Sequence, residues 1–267
     1  MILGNNSAVL DTIIYQLESC NNNCYNCYLT KSKANKENNY ILEDLTKLIW
    51  EKKLDCNTFV LSLSSKYHSD SIYELLSACK MNKIITRVAV HNINDINSDW
   101  YKTNEHHIDE ISFSRRKSFL CFPETNKKII WNCMNESHFT IDNFQQQHKN
   151  KVSIIYNILQ KSNIFQDNYV SLAALFDYQQ VLKNTKDQNK FVTDKCLSCD
   201  CGAGRDFVHI WPSGNVTKCG YDYELITDVK GENLLDKIIK CCQNSQNHQC
   251  QFQKNRKQLL ELINGEQ

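Results

Sequence analysis

The chain has little of three things. Its formal net charge is only +1 over 267 residues. Nothing electrostatic therefore argues for a broad nucleic-acid footprint or a membrane surface, and neither is expected as a partner. No run approaches the roughly 18 consecutive apolar residues that a membrane-crossing helix needs. Met1 to Leu10 lacks the basic start and long apolar core of a secretory signal, so a cytoplasmic protein is the expectation. Glycine is scarce as well. Of the 7 glycines, four (Gly202, Gly204, Gly214 and Gly220) fall in one short stretch, where tight backbone geometry is being demanded.

Cysteine, by contrast, is plentiful, with 14 residues. Disulfide scaffolds belong to small secreted chains, and without a secretory signal this usage favours metal or catalytic thiols. The distribution is clustered: Cys20, Cys24 and Cys27 near the start, then seven more from Cys196 to Cys250. Cys56, Cys79, Cys121 and Cys133 are scattered singly and read as buried structural thiols. The first three form a C-x3-C-x2-C loop directly after an apolar, strand-like run. Three thiolates on one loop can hold three corners of a 4Fe–4S cluster and leave the fourth iron open to a small molecule. A zinc site would want a fourth ligand at finger-like spacing, yet the first histidine downstream is His68.

The remaining pattern alternates between strand and helix periods. Residues 12–18 read as a strand running into the cysteine loop. Tyr40–Lys53 carries Ile41, Leu42, Leu45, Leu48 and Ile49 at helical spacing. A strand at Thr58–Leu63, a helix from Asp70 to Met81 and a strand at Ile84–Val90 follow. Weaker strand signals lie at Ile108–Ser114 and Lys128–Cys133, with a helix near Val152–Leu159 and a strand at Tyr169–Leu175. About six βα units imply a parallel sheet short of a full eight-fold barrel, an open (β/α)6 arch with its working face at the carboxyl ends of the strands. Composition shifts after Asn184. Phe207–Trp211, a Pro212–Asn215 turn and Val216–Cys219 read as a β-hairpin. A helix with Leu234, Leu235, Ile238 and Ile239 on one face and a short one around Leu259–Ile263 complete the chain. Residues 1–184 thus read as the partial barrel, and 185–267 as a small cysteine-rich α+β domain. The span 1–10 is too short for a separate leader-peptide-binding domain. His106 and His107 read by default as part of a surface loop, and since adjacent residues on a strand point to opposite faces the two are not expected to act together.

Strand, CNNNCYNC loop, helix and further βα units resemble the radical S-adenosylmethionine (radical SAM) superfamily. The C-x12-G-x4-C spacing of Cys201, Gly214 and Cys219, with the hairpin IWPSGNVTKC and the helix GENLLDKIIK, resembles the auxiliary-cluster extension called SPASM or, when shorter, Twitch. Together the two cover nearly the whole chain, in the expected order. The resemblance implies that Cys20, Cys24 and Cys27 hold a 4Fe–4S cluster whose open iron binds S-adenosylmethionine. An electron from an external flavodoxin- or ferredoxin-type donor would cleave that cofactor to a 5′-deoxyadenosyl radical, which abstracts a substrate hydrogen atom. It implies one auxiliary 4Fe–4S cluster on Cys201 and Cys219, completed from beyond the helix by Cys242 (or Cys241) and Cys250, with Cys196 and Cys199 in surplus. A full two-cluster set would need a closely spaced cysteine pair, and Gln253 stands where the second member would be.

Two departures from the family pattern are visible. Asn26 occupies the usual aromatic position before the third cysteine, with Tyr25 and Tyr28 flanking it as candidates to pack near the adenine. Leu63, Ser64 and Ser65 stand where Gly-Gly-Glu often lies. The hydroxyls of Ser64 and Ser65 can accept a hydrogen bond from the methionine ammonium but supply no charge. At the fourth strand Ser112, Ser114 and Arg115 are candidates for the ribose or carboxylate, because arginine grips a carboxylate bidentately. A peptide or protein substrate is the leading expectation. The alternatives are a small-molecule dehydrogenase or rearrangement enzyme, and a non-catalytic iron–sulfur or zinc protein.

Overall fold

Apolar runs of period 2 followed by runs of period 3.6 fold as successive βα units. The computed structural model describes residues 2–4, 7–17, 39–62, 70–90, 96, 98–115, 125–134, 152–157, 191–193, 202–219 and 233–244. Strands β1 (Ile2–Gly4), β2 (Ser7–Gln16), β3 (Leu54–Ser62), β4 (Ile85–Val90), β5 (Glu110–Arg115), β6 (Lys128–Met134), β7 (Val152–Asn157), β8 (Phe191–Thr193), β9 (Phe207–Ile210) and β10 (Val216–Thr217) form one sheet of ten. Its order is β10-β9-β2-β3-β4-β5-β6-β7-β8, with β1 antiparallel on β2. From β2 to β8 every neighbour is parallel and consecutive in the chain. The α/β architecture expected from the sequence is thus present.

The helices are α1 (Asn39–Trp50), α2 (Asp70–Met81), α3 (Asp99–Asn104) and α4 (Leu234–Asn244). On α1, Ile41, Leu42, Leu45 and Ile49 are buried; on α2, Ile72, Leu75, Leu76 and Cys79. These i, i+3, i+4 rows close over the sheet in one apolar cluster. Both long N-terminal helices end on a lysine in the left-handed region, Lys52 at φ 54° and Lys83 at φ 63°. The following amides reach back five residues, Lys53 N–H to the Leu48 carbonyl at 3.0 Å and Ile84 N–H to the Cys79 carbonyl at 2.9 Å. That is the Schellman termination, usually given to glycine; a glycine-poor chain uses lysine instead.

Strand β2 changes phase part-way along. Ala8 and Leu10 are buried, then Ile13, Tyr15 and Leu17. The shift falls where the Asp206 carbonyl accepts from both Asp11 N–H (2.8 Å) and Thr12 N–H (3.0 Å), a bulge with two residues facing one. Strand β3 shifts at the same level, from Leu54 and Cys56 to Phe59 and Leu61. Asn57 Nδ2 donates to Asp11 Oδ1 across the gap at 3.0 Å. Because both strands step together, the register survives above the bulge and the outward face is reset before the strand ends.

Three expectations change. Val152–Asn157 is a strand parallel to β6, from Ile129↔Val152 to Met134↔Asn157, not a helix. Its run VSIIYN is short and β-branched and pairs with a parallel strand on each side, a case in which periodicity alone does not separate strand from helix. His106 and His107 lie in a 3-10 turn, not on a strand, so their rings share a side, with centroids 3.8 Å apart, and His107 also meets Tyr73 edge-on at 5.0 Å. Strand β8 was not foreseen. The strand expected at Tyr169–Leu175 and the helix near Leu259–Ile263 lie outside the described residues. Among those described, no helix is long and apolar enough to cross a membrane.

Candidate active site

Which face of the sheet is free of helices decides where chemistry can occur. Above the bulge Ile13, Tyr15, Phe59, Leu61, Val88 and Ile111 share the apolar cluster with α1, α2 and α4. Residues one step along each strand point the other way. Val60 and Ile130, buried at 9% and 3% exposure, stand on that opposite face and belong to no part of the cluster.

Two cross-strand rows occupy this face. The row nearest the strand ends runs Gln16, Ser62, Ala89, Ser112, Ile130. Gln16, Ser62 and Ser112 are buried polar side chains at the rim. The ladder continues to Leu17, whose N–H donates to the Ser62 carbonyl at 3.2 Å. Cys20 follows three residues later, so the cysteine loop leaves the sheet at this rim. The deeper row runs His209, Ile14, Val60, Arg87, Glu110, Lys128. Buried Glu110 accepts from Arg87 Nε (2.8 Å) and Lys128 Nζ (2.7 Å), with Arg87 Nη2 at 2.6 Å. Burial pushes its carboxyl up, but Lys128 and Arg87 outweigh that and hold it below the usual carboxylate range. His209, fully enclosed, is pushed down to about 3 by burial and is neutral. The deeper row sits at the amino ends of β5 and β6, where charge closes the floor of an arch rather than serving its mouth.

The hairpin that ends at Cys219 lies along the other edge of β2. Strand β9 adds in parallel to the other edge of β2, from Thr12↔Phe207 to Tyr15↔Ile210. The chain then turns, with Gly214 N–H on the Trp211 carbonyl (2.8 Å) and Trp211 N–H on the Asn215 carbonyl (2.8 Å), and returns as β10 to Cys219. Cys219 is partly exposed and in no disulfide. Helix α4 carries Cys241 and Cys242 on its buried face, inside the apolar cluster, and burial pushes the Cys242 thiol up to about 12. Cys56 and Cys79 are likewise buried free thiols. Cys79 is pushed up to about 12 and Cys56 higher, both first by burial, as befits structural residues.

Of the residues expected at the site, Ser112 stands in the rim row, while Ser114 and Arg115 pair through the backbone with Asn132 and Cys133 at the end of β5. Cys20, Cys24, Cys27, Tyr25, Tyr28, Ser64, Ser65, Cys201 and Cys250 lie outside the described residues. Among those described, no three histidine, cysteine or acidic side chains come together as a metal site. Gln16 and Ser62 were not anticipated. Their signal was a polar residue at the last position of an otherwise apolar parallel strand.

No family model matches the sequence, and no curated protein matches it. Solved structures do. SuiB of Streptococcus suis, bound to the precursor peptide SuiA, superposes with a TM-score of 0.61 at 14% identity, covering 92% of this chain and 68% of that one. The chain shares the fold of SuiB. SuiB bound to S-adenosylmethionine gives 0.56 at 14% identity, over 92% and 67% of the two chains. BtrN in complex with AdoMet and 2-DOIA gives 0.46 at 14% identity, over 98% and 91%.

Proposed function

We propose that this chain is a radical SAM enzyme acting on a peptide. One observation carries the reading: a C-x3-C-x2-C run begins four residues after the last residue of a parallel strand, in a fold shared with a protein that has been crystallised with S-adenosylmethionine and with a precursor peptide. The donor set fits the group. Three thiols on one loop with no fourth ligand at finger-like spacing, the first downstream histidine being His68, suit an iron–sulfur centre better than zinc.

A 4Fe–4S cluster held by Cys20, Cys24 and Cys27 would supply one-electron reduction of S-adenosylmethionine and, through it, hydrogen-atom abstraction from the substrate. The chain's own task is placement. Cys20, Cys24 and Cys27 hold the cluster. Gln16, Ser62 and Ser112, with Ser64, Ser65, Ser114 and Arg115 beyond them, offer polar contacts to the cofactor. Tyr25 and Tyr28 stack near the adenine. Residues 185–267 hold one auxiliary cluster through Cys201, Cys219 and Cys250; Cys242 joins them only if the last turn of α4 opens, since its thiol lies in the core.

The test is anaerobic reconstitution followed by dithionite and S-adenosylmethionine. 5′-Deoxyadenosine is expected, abolished in Cys24→Ala and retained in part, uncoupled from substrate, in Cys219→Ala. Bound zinc with little iron would refute the enzyme. Turnover of a small molecule, with none of a co-encoded peptide, would refute the substrate class alone.

A further inference from the structure

The hairpin that carries Cys219 contains a buried chain of hydrogen bonds with one possible direction. Trp211 Nε1–H donates to Thr217 Oγ1 at 2.9 Å. Thr217 Oγ1 in turn donates to the Cys219 carbonyl at 2.9 Å. An indole N–H can only donate and a carbonyl can only accept, so the single hydroxyl proton of Thr217 must point to Cys219. Trp211 is 5% exposed and Thr217 1%. In such a dry setting, loss of the hydroxyl breaks both of these hydrogen bonds at once.

The rest of the hairpin fixes this relay in place. Strand β10 is only two residues long and pairs through Val216↔Ile210 and Thr217↔His209. Thr217 therefore sits on the His209 side of the ribbon, where the His209 ring meets the Trp211 indole edge-on at 4.4 Å. Trp211 also makes both hydrogen bonds that close the turn, to Gly214 and Asn215. One residue thus shapes the turn, and its side chain holds the backbone six positions later, between the two-residue ladder of β10 and the single bridge at Cys219.

We propose that Thr217 is a positioning residue for Cys219. Through the relay from Trp211 it sets the backbone at Cys219, and hence the direction in which that thiolate meets the auxiliary iron–sulfur centre. The inference rests on reading Cys219 as a ligand of that centre.

Thr217→Val keeps the shape and removes the hydroxyl, while Thr217→Ser restores it. Reconstituted variants would be compared by iron content, by the paramagnetic resonance spectrum and midpoint potential of the auxiliary centre, and by its loss of iron to a chelator. In Thr217→Val the spectrum and potential are expected to shift, and iron to leave roughly fivefold to tenfold faster, as one lost hydrogen bond would allow; Thr217→Ser should return all of these towards the parent. A Thr217→Val protein with the parent's spectrum, potential and iron loss would overturn the proposal. Should Thr217→Val not fold, Trp211→Phe keeps the ring and removes the N–H: the same changes support the relay, and their absence overturns it. The underlying reading fails separately, if Cys219→Ala keeps the full iron content and an unchanged auxiliary spectrum.

Discussion

Single residues on the face turned away from the described helices divide by depth. At the rim Gln16, Ser62 and Ser112 are buried and uncharged, suited to accept or donate hydrogen bonds to a zwitterionic cofactor. Deeper, Glu110 ties Arg87 to Lys128 across three strands. Its folded carboxyl is held below its ordinary range, so the ionised form is the one that favours the fold. That contribution is complete above the unfolded-state carboxyl range and disappears as pH falls through the folded value. Glu110→Gln is expected to cost about 1–2 kcal/mol at neutral pH, less than a fully buried pair because Lys128 is half exposed. Denaturant titrations at pH 7 and in acid should show parent and variant converging at low pH, whereas an equal gap at both pH values would contradict the assignment. The thiol loop was legible in the sequence because three cysteines within eight positions carry their own signal. Of the polar rim, Ser112 was anticipated and Gln16 and Ser62 were not. A glutamine or serine marks a site only once strand register shows which face it joins.

Elements show a similar split. The helix expected from about Asp70 to Met81 is there, its apolar period unbroken, and β6, a weaker signal, lies within one residue of its expected span. Strand β7 was misread and the three-residue β8 missed, since neither has enough length to declare a period. The glycine cluster was a true signal of tight geometry, and at Gly214 the structure gives the reason. Its φ is +76°, and an added Cβ would come within 2.6 Å of Ile41 Cδ1 on the first turn of α1. Lys237 Nζ of α4 reaches the Gly214 carbonyl at 3.5 Å. The turn is therefore clamped between the helix that follows the first cysteine loop and the helix that follows the second. Gly214→Ala should destabilise the protein by about 1–3 kcal/mol through left-handed strain and crowding of Ile41. Ile41→Val in the Gly214→Ala background should recover part of that loss in chemical denaturation. No recovery would mean that backbone strain, not contact with α1, sets the cost.

At the scale of the molecule, the decisive feature is one that no local pattern foretold: the strand beside β2 comes from almost two hundred residues away. Strand β9 pairs with β2 in parallel, and α4 contacts β2, β9, β10 and α1, so Val208, Ile210, Leu234 and Ile238 enter the same apolar cluster as Phe59 and Leu75. A sheet and a core continuous across the change of composition at Asn184 imply that the hairpin opens only when the barrel does. Such units share one opening free energy. In the metal-free chain, hydrogen exchange should give the slowest amides of β9 and β3 opening free energies within about 1 kcal/mol of each other, both equal to the global stability from denaturation. Amides of β9 exchanging several kcal/mol more easily would show the hairpin to be a separable flap. The two cysteine segments would then be docked by iron rather than by the fold. A shared value would mean that protein packing alone brings the hairpin bearing Cys219 alongside the strand that ends at the first cysteine loop, before any cluster is assembled.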